Sequence, residues 1–266
     1  MFGIRRLLMS CSRVCALTFI FSGLSSLLHA STKAPEVPNA NADLPFLEFV
    51  TFVEPPYTFD ETQTSRKGLV MVILERLMFK AGINYKVTFM PPKRAELYVK
   101  STPNSCVIPI EKSQEREVFF SWVSPVLISQ HGLFQLESAS PVKLETLEDA
   151  RPYRIGSFLG SSIGEYLDSF SYRVDLATKN DANLHKMKAG RIDLWASDVL
   201  SAYYLSKQEG IRISRSRLNF FTSLRAIGCH EKLDEKVLSA MRNALQDMYK
   251  SSQMKRILQS FTPPNW

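Results

Sequence analysis

Charge of one sign never accumulates in this 266-residue sequence: no five like charges run together and no basic–aromatic repeat occurs. A surface built for nucleic acid or anionic lipid is therefore not expected, despite a net charge of +7. Cysteine and histidine are also scarce, at four each. His29, His131, His185 and His230 are isolated from one another, and neither Cys106 nor Cys229 has a histidine or second cysteine at ligand spacing. No metal, cofactor or catalytic cluster is expected from them. What is abundant is apolar residue, 45% against 22% charged, enough for one large core or two modest ones.

Residues 1–30 have the three-part form of a secretory leader: Arg5 and Arg6, an apolar stretch over 14–28, and a cleavage site at Leu28-His29-Ala30. A permanent membrane helix suits the stretch less well, because it is short and broken by Ser22, Gly23, Ser25 and Ser26. A lipoprotein site at Cys11 fails because the apolar region follows that cysteine. Arg5, Arg6 and Arg13 account for three positive charges, leaving a modest +4 after cleavage. Export would place Cys106 and Cys229 in an oxidising compartment, either as a disulfide or as two buried thiols.

Residues 31–43 form a polar Ala/Pro/Asn tether without periodicity. The patterns then predict a strand over 47–53, a helix over 68–80 ended by Gly82, and a strand over 85–89. A helix opened by Pro91-Pro92 and a strand over 106–110 follow. After an extended run at 126–136, strands over 153–157, 172–177 and 192–196 alternate with helices over 161–170, 181–189 and 198–207. A return strand at 224–229 and helices over 233–250 and 252–260 complete the set. Two α/β units with a late return imply two lobes, 44–135 plus 222–266 and 136–221, joined by crossing strands over a ligand cleft. If the strands of Cys106 and Cys229 run antiparallel side by side, the two sulfurs can meet.

Short segments fall in a telling order. Glu54-Pro55-Pro56-Tyr57-Thr58-Phe59 precedes Gly68; Ser113-Gln114-Glu115-Arg116 precedes Phe120-Ser121 and Ser124-Pro125. Leu147-Glu148-Asp149 leads through Ile155-Gly156 to Gly160-Ser161-Ser162, and Ala189-Gly190-Arg191-Ile192-Asp193 stands five residues before Asp198. This order over 49–261 resembles the family 3 extracellular solute-binding proteins, receptors of polar amino-acid ABC transporters. The resemblance implies an α/β, two-lobed type II periplasmic-binding-protein-like fold, each lobe a mainly parallel sheet flanked by helices.

It also implies roles. Arg116 would bind a ligand α-carboxylate through paired hydrogen bonds, unless it pairs instead with Glu115 or Glu117. Asp198 would receive the α-ammonium, or serve as a helix N-cap, or both. Ser161 and Ser162, at a strand-to-helix turn, would favour an anionic group or simply cap the helix. Tyr57 and Phe59 would wall the ligand's side chain, and Arg94 would face the cleft or solvent; Trp195 reads as core. The chain departs from the pattern at Pro109-Ile110-Glu111-Lys112, where hydroxyl residues are usual, at Val72, and at 101–105. Glu111 is therefore expected near the cleft, selecting a cationic side chain or pairing with Arg94 or Lys112.

The resulting expectation is a monomeric periplasmic receptor that presents a small carboxylate-bearing ligand to an inner-membrane ABC permease, without catalysis, cofactor or nucleic acid. One alternative is a ligand sensor for a separate membrane signalling partner. A further one is a dehydratase-like enzyme with Glu111 as its acid/base.

Overall fold

The computed structural model describes residues 44–60 and 66–261. The predicted leader at 1–30 and tether at 31–43 lie outside them. The first half alternates β1 (Leu47–Thr51), α1 (Leu69–Ala81), β2 (Tyr85–Phe89), α2 (Pro92–Ser101), β3 (Ser105–Glu111) and the short α3 (Gln114–Glu117). The long β4 (Phe120–Phe134) then leads to β5 (Ile155–Phe158), α4 (Ser162–Ser169), β6 (Val174–Ala177), α5 (Ala182–Lys188), β7 (Leu194–Asp198) and α6 (Val199–Glu209). A second long strand, β8 (Leu218–His230), returns to α7 (Glu235–Lys250) and α8 (Gln253–Phe261).

Local chemistry sets these boundaries. Gly82 takes φ 67° and its N–H reaches the carbonyls of Met78 and Phe79, closing α1 in the left-handed conformation glycine adopts without strain. At the other end α1 has no side-chain cap; the N–H groups of Leu69 and Val70 reach the carbonyls of Pro56 and Tyr57 instead. That docking fixes the turn after β1. α2 opens on Pro92, whose missing N–H costs nothing in a first turn. α7 buries Val237, Leu238, Met241, Ala244, Leu245 and Met248 on one face, the spacing of a helix lying on a sheet.

The strands form one mixed sheet in the order β2-β1-β3-β8-β4-β7-β5-β6. Parallel strands lie at both ends and the two long antiparallel strands at its centre. Two separate sets of apolar cores flank those long strands. Phe49, Ile73, Leu77 and Met241 belong to one, and Leu133, Ile155, Ile163 and Leu194 to the other. This is a two-lobed α/β fold whose lobes share β4 and β8. Trp195 is fully buried beside Phe134 in the second lobe, donating its indole N–H to Asn180.

The structure corrects several strand boundaries. The crossing segment begins at Phe120, not at 126, and the return strand begins at Leu218, not at 224. Polar residues inside β8 (Asn219, Thr222, Ser223, Arg225) interrupt the hydrophobic pattern that would otherwise reveal its length, and Arg225 among them lines the cleft. β7 starts at Leu194, two residues late: Asp193 instead accepts the backbone N–H of Arg154 at 2.8 Å and pairs with its guanidinium, holding the turn. Cys106 and Cys229 are opposite each other on antiparallel β3 and β8 and form a disulfide, with Cα atoms 3.9 Å apart.

Candidate functional site

β4 and β8 lie side by side between the lobes, so alternate residues of each face the cleft. Ser129 and His131 share a face of β4, Ser223 and Arg225 a face of β8, and Glu111 at the end of β3 is paired in register with Arg225. Cross-strand neighbours consequently become hydrogen-bond partners. Arg225, 2% exposed, donates to both carboxylate oxygens of Glu54 at 2.6 and 2.7 Å and to Ser129 Oγ at 2.7 Å. Its guanidinium carbon sits 4.1 Å from the centre of the Tyr57 ring, a stacked cation–π contact. The Tyr57 hydroxyl in turn donates to Asp198 Oδ1 at 2.7 Å, reaching from the first lobe to the second.

Charge balance in this floor follows from burial. Loss of water pushes the Glu54 carboxyl up, with Asp198 and Glu111 adding to it, yet two guanidinium hydrogen bonds demand its charged form. We read the pair as ionised. Burial opposes the Arg225 charge too, but the carboxylates of Glu54 and Asp198 hold the guanidinium well above its ordinary range. Burial and then the Asp198 carboxylate push the Tyr57 hydroxyl well up, so it remains a donor. For Glu111, burial is outweighed by His131 and Arg225, which hold the carboxyl below its usual value. His131 Nε2 lies 3.1 Å from Glu111 Oε1 and 3.0 Å from Ser223 Oγ.

The rim is a second charged cluster. Arg116, 11% exposed, points Nε at Glu96 of α2 (3.3 Å) and Nη2 at Glu165 of α4 (3.2 Å). Glu165 also contacts Lys93, so a carboxylate from the second lobe sits between two cations of the first. Asp198 caps α6, accepting the Ser201 N–H at 2.9 Å, and Ser161 caps α4, accepting from Gly164. Floor and rim enclose a cavity of ≈ 50 Å³; a separate, wider chamber of ≈ 500 Å³ with Phe89, Met90 and Leu159 in its walls lies on the other side of Phe52, Pro92 and Phe158, which line both. Since ligand pockets usually hold about 300 Å³ or more, the inner cavity accepts an organic molecule only when the lobes separate.

Of the residues singled out from the sequence, Glu111, Arg116, Ser161, Ser162 and Asp198 line this inner cavity together. Tyr57 lies beneath it, within the floor network. Phe59 stands apart, packing edge-on against Tyr204, and Arg94 is solvent-exposed on α2. The aromatic residues of the cavity wall are instead Phe52 and Phe158. Expected pairings change as well. Arg116 is held by Glu96 and Glu165, not by Glu115 or Glu117; Glu111 meets His131 and Arg225, while Lys112 is drawn to Glu117 at 3.2 Å. The sequence reading missed Glu54, Ser129, His131, Asn180 and Arg225. A charged residue inside the apolar return strand was the available signal for Arg225. Among the described residues, no three of His, Cys, Asp and Glu come together to hold a metal ion.

No protein-family model matches the sequence, and no curated protein resembles it at the level of sequence. Solved structures do resemble it in fold. A histidine kinase sensor domain with similarity to periplasmic binding proteins superposes with a TM-score of 0.74 at 16% identity, covering 82% of this chain and 96% of that one. The ligand-binding core of GluR0 from Nostoc punctiforme, in complex with L-glutamate, gives 0.72 at 15% identity, covering 82% and 100%. A mutant of ArgBP from T. maritima gives 0.71 at 15%, covering 81% and 94%. At such identities the likeness establishes architecture and nothing finer: this chain has the α/β fold of the periplasmic-binding-protein-like structures.

Proposed function

We propose that the chain is an exported, periplasmic receptor of the family 3 solute-binding kind, a monomer that captures a small amino-acid-like solute between its lobes for an ABC-type permease. One observation carries the reading. Arg116 and Asp198 face the same interlobe cavity from opposite lobes, beside the Ser161-capped start of α4. A ligand carboxylate would take the place of Glu165 on Arg116 while the ligand's ammonium reaches Asp198. One carboxylate replacing another conserves charge at the guanidinium, so the exchange opens the protein's own interlobe ion pair and the ligand closes it again. Affinity then reflects how much better the closed form satisfies the ligand than it satisfies Glu165. The separation of the lobes around shared strands supports that motion.

A second reading, a ligand sensor acting on a separate membrane signalling protein, is favoured by the likeness to a kinase sensor domain. Both readings predict a stable ligand complex without turnover, and the identity of the genomic neighbours separates them. Calorimetry across an amino-acid panel tests the shared part. R116A should abolish binding of carboxylate ligands while the variant still melts in one cooperative transition, at a somewhat lower temperature because Glu96 loses a partner. Retained affinity, or conversion of a prephenate-like acid without a stable complex, would overturn it.

A further inference from the structure

The Glu111–His131 pair does nothing that the carboxylate-and-ammonium reading requires, yet it lines the same cavity. Its hydrogen bonding is incomplete. Glu111 Oε2 and His131 Nδ1 are both buried and both lack a partner. His131 is 3% exposed, and leaving such polar atoms unpaired away from water is costly unless something else meets them.

The network fixes what could. Glu111 Oε1 can only accept, so the nitrogen 3.1 Å away, His131 Nε2, carries the proton. In the neutral ring Nδ1 is then a lone pair. Glu111 Oε2 is an acceptor whichever form the ring takes, and in the neutral ring His131 Nδ1 is one too, so a partner must bring N–H groups. Formal charge points the same way. Around the pair stand the carboxylates of Glu54 and Asp198 and the single guanidinium of Arg225, with the Tyr57 hydroxyl kept neutral. At the rim Lys93, Lys100 and Arg116 offset Glu96 and Glu165, so the negative charge is confined to the floor. With three carboxylates facing one guanidinium, the floor carries an excess of negative charge.

Resting on the solute-receptor reading above, we propose that Glu111 and His131 form a subsite for a protonated nitrogen at the ligand's far end. The cleft thereby selects solutes with a second cationic group, an ammonium or guanidinium, over their neutral isosteres.

Calorimetry on the purified chain tests this with isosteric pairs, L-arginine against L-citrulline and L-lysine against L-norleucine. The basic member should bind at least about tenfold tighter, the scale of one buried charged hydrogen bond. E111Q should erase that ratio while retaining the neutral ligands, which also shows that the variant is folded. Equal affinity within both pairs would overturn the subsite and leave the solute site standing. If no member of either pair binds, the subsite falls, and the receptor reading falls with it only when the whole amino-acid panel also fails to bind.

Discussion

Removing Arg225 should unfold the floor from the inside. R225M keeps most of the side-chain volume but leaves Glu54, itself buried, without the guanidinium that holds both its oxygens. Breaking a buried pair by deleting one partner costs about 3–5 kcal/mol, because the survivor is an uncompensated charge. Glu111 and Asp198 stand close enough to deepen that cost. For a chain of this size the loss corresponds to a melting point lower by roughly 10 °C. E54Q should cost less, since Arg225 retains Glu111 at 3.7 Å and its seat on Tyr57. The double variant E54M/R225M removes both charges together, and we expect it to recover to within about 1–2 kcal/mol of the wild type. Protonation supplies an internal check: in R225M the Glu54 carboxyl lies above its unfolded value, so the penalty is full at neutral pH and shrinks as pH falls through that raised value. Urea titrations of the four proteins at several pH values measure all of this. An R225M protein within about 1 kcal/mol of wild type at neutral pH, or a double variant no better than the single, would refute the argument.

Reduction of Cys106–Cys229 opens a loop spanning 123 residues, and the chain-entropy account then predicts a loss of about 4–5 kcal/mol; an unchanged urea midpoint in reductant would contradict it. A Cβ at Gly68 would lie 2.2 Å from the carbonyl oxygen of Tyr57. G68A must therefore push the turn off α1, at a cost of about 1–3 kcal/mol, and it should weaken ligand binding because Tyr57 moves with the turn. Glu48, Glu96 and Glu111 are held below their ordinary value of 4.5: against the opposing burial, Tyr98 and Thr88, Lys100 and Arg116, and His131 and Arg225 respectively prevail. Their folded values lie under their unfolded ones, so the stability they give is complete above about pH 4.5 and is lost as pH falls through the folded values; a urea midpoint rising on acidification would contradict this. E165Q should change stability by less than about 1 kcal/mol, because Glu165 and Lys93 are partly exposed. It should nevertheless raise the radius of gyration of the ligand-free protein in small-angle scattering, and an identical scattering curve would count against Glu165 as an interlobe contact.

Most elements were legible because their periodicity is a local property. β2 was read to the residue, and α1 within one residue at either end, because alternation, a helical apolar face and Gly82 all lie within a few positions of what they determine. The same local rules put Cys106 and Cys229 on two strands, and the sheet order then makes those strands neighbours. The floor could not be read this way. Glu54 and Arg225 are 171 residues apart, Tyr57 and Asp198 are 141 apart, and only the sheet order makes them neighbours. His131 looked isolated in the sequence because its partners, Glu111 and Ser223, lie on two other strands. Arg116 shows the converse limit. Its cleft-facing position followed from a motif, but the Glu165 carboxylate that occupies it comes from a helix of the other lobe.

The ladder between β4 and β8 is regular from Leu127 to His131 and irregular on either side, between Val123 and Leu127 and between His131 and Gly132. Strand pairs yield where their hydrogen-bond register is already broken. Under the proposed receptor function, bending would concentrate at the two flanks when the lobes part, and the stretch holding Ser129, His131, Ser223 and Arg225 would travel as a rigid plate. A solute would meet that plate already formed, and closure would add the Tyr57–Asp198 bond and the rim contact of Arg116 with Glu165. Recognition and retention would then be separate tasks: plate residues would set which solute is admitted, and the contacts made on closure would set how long it stays.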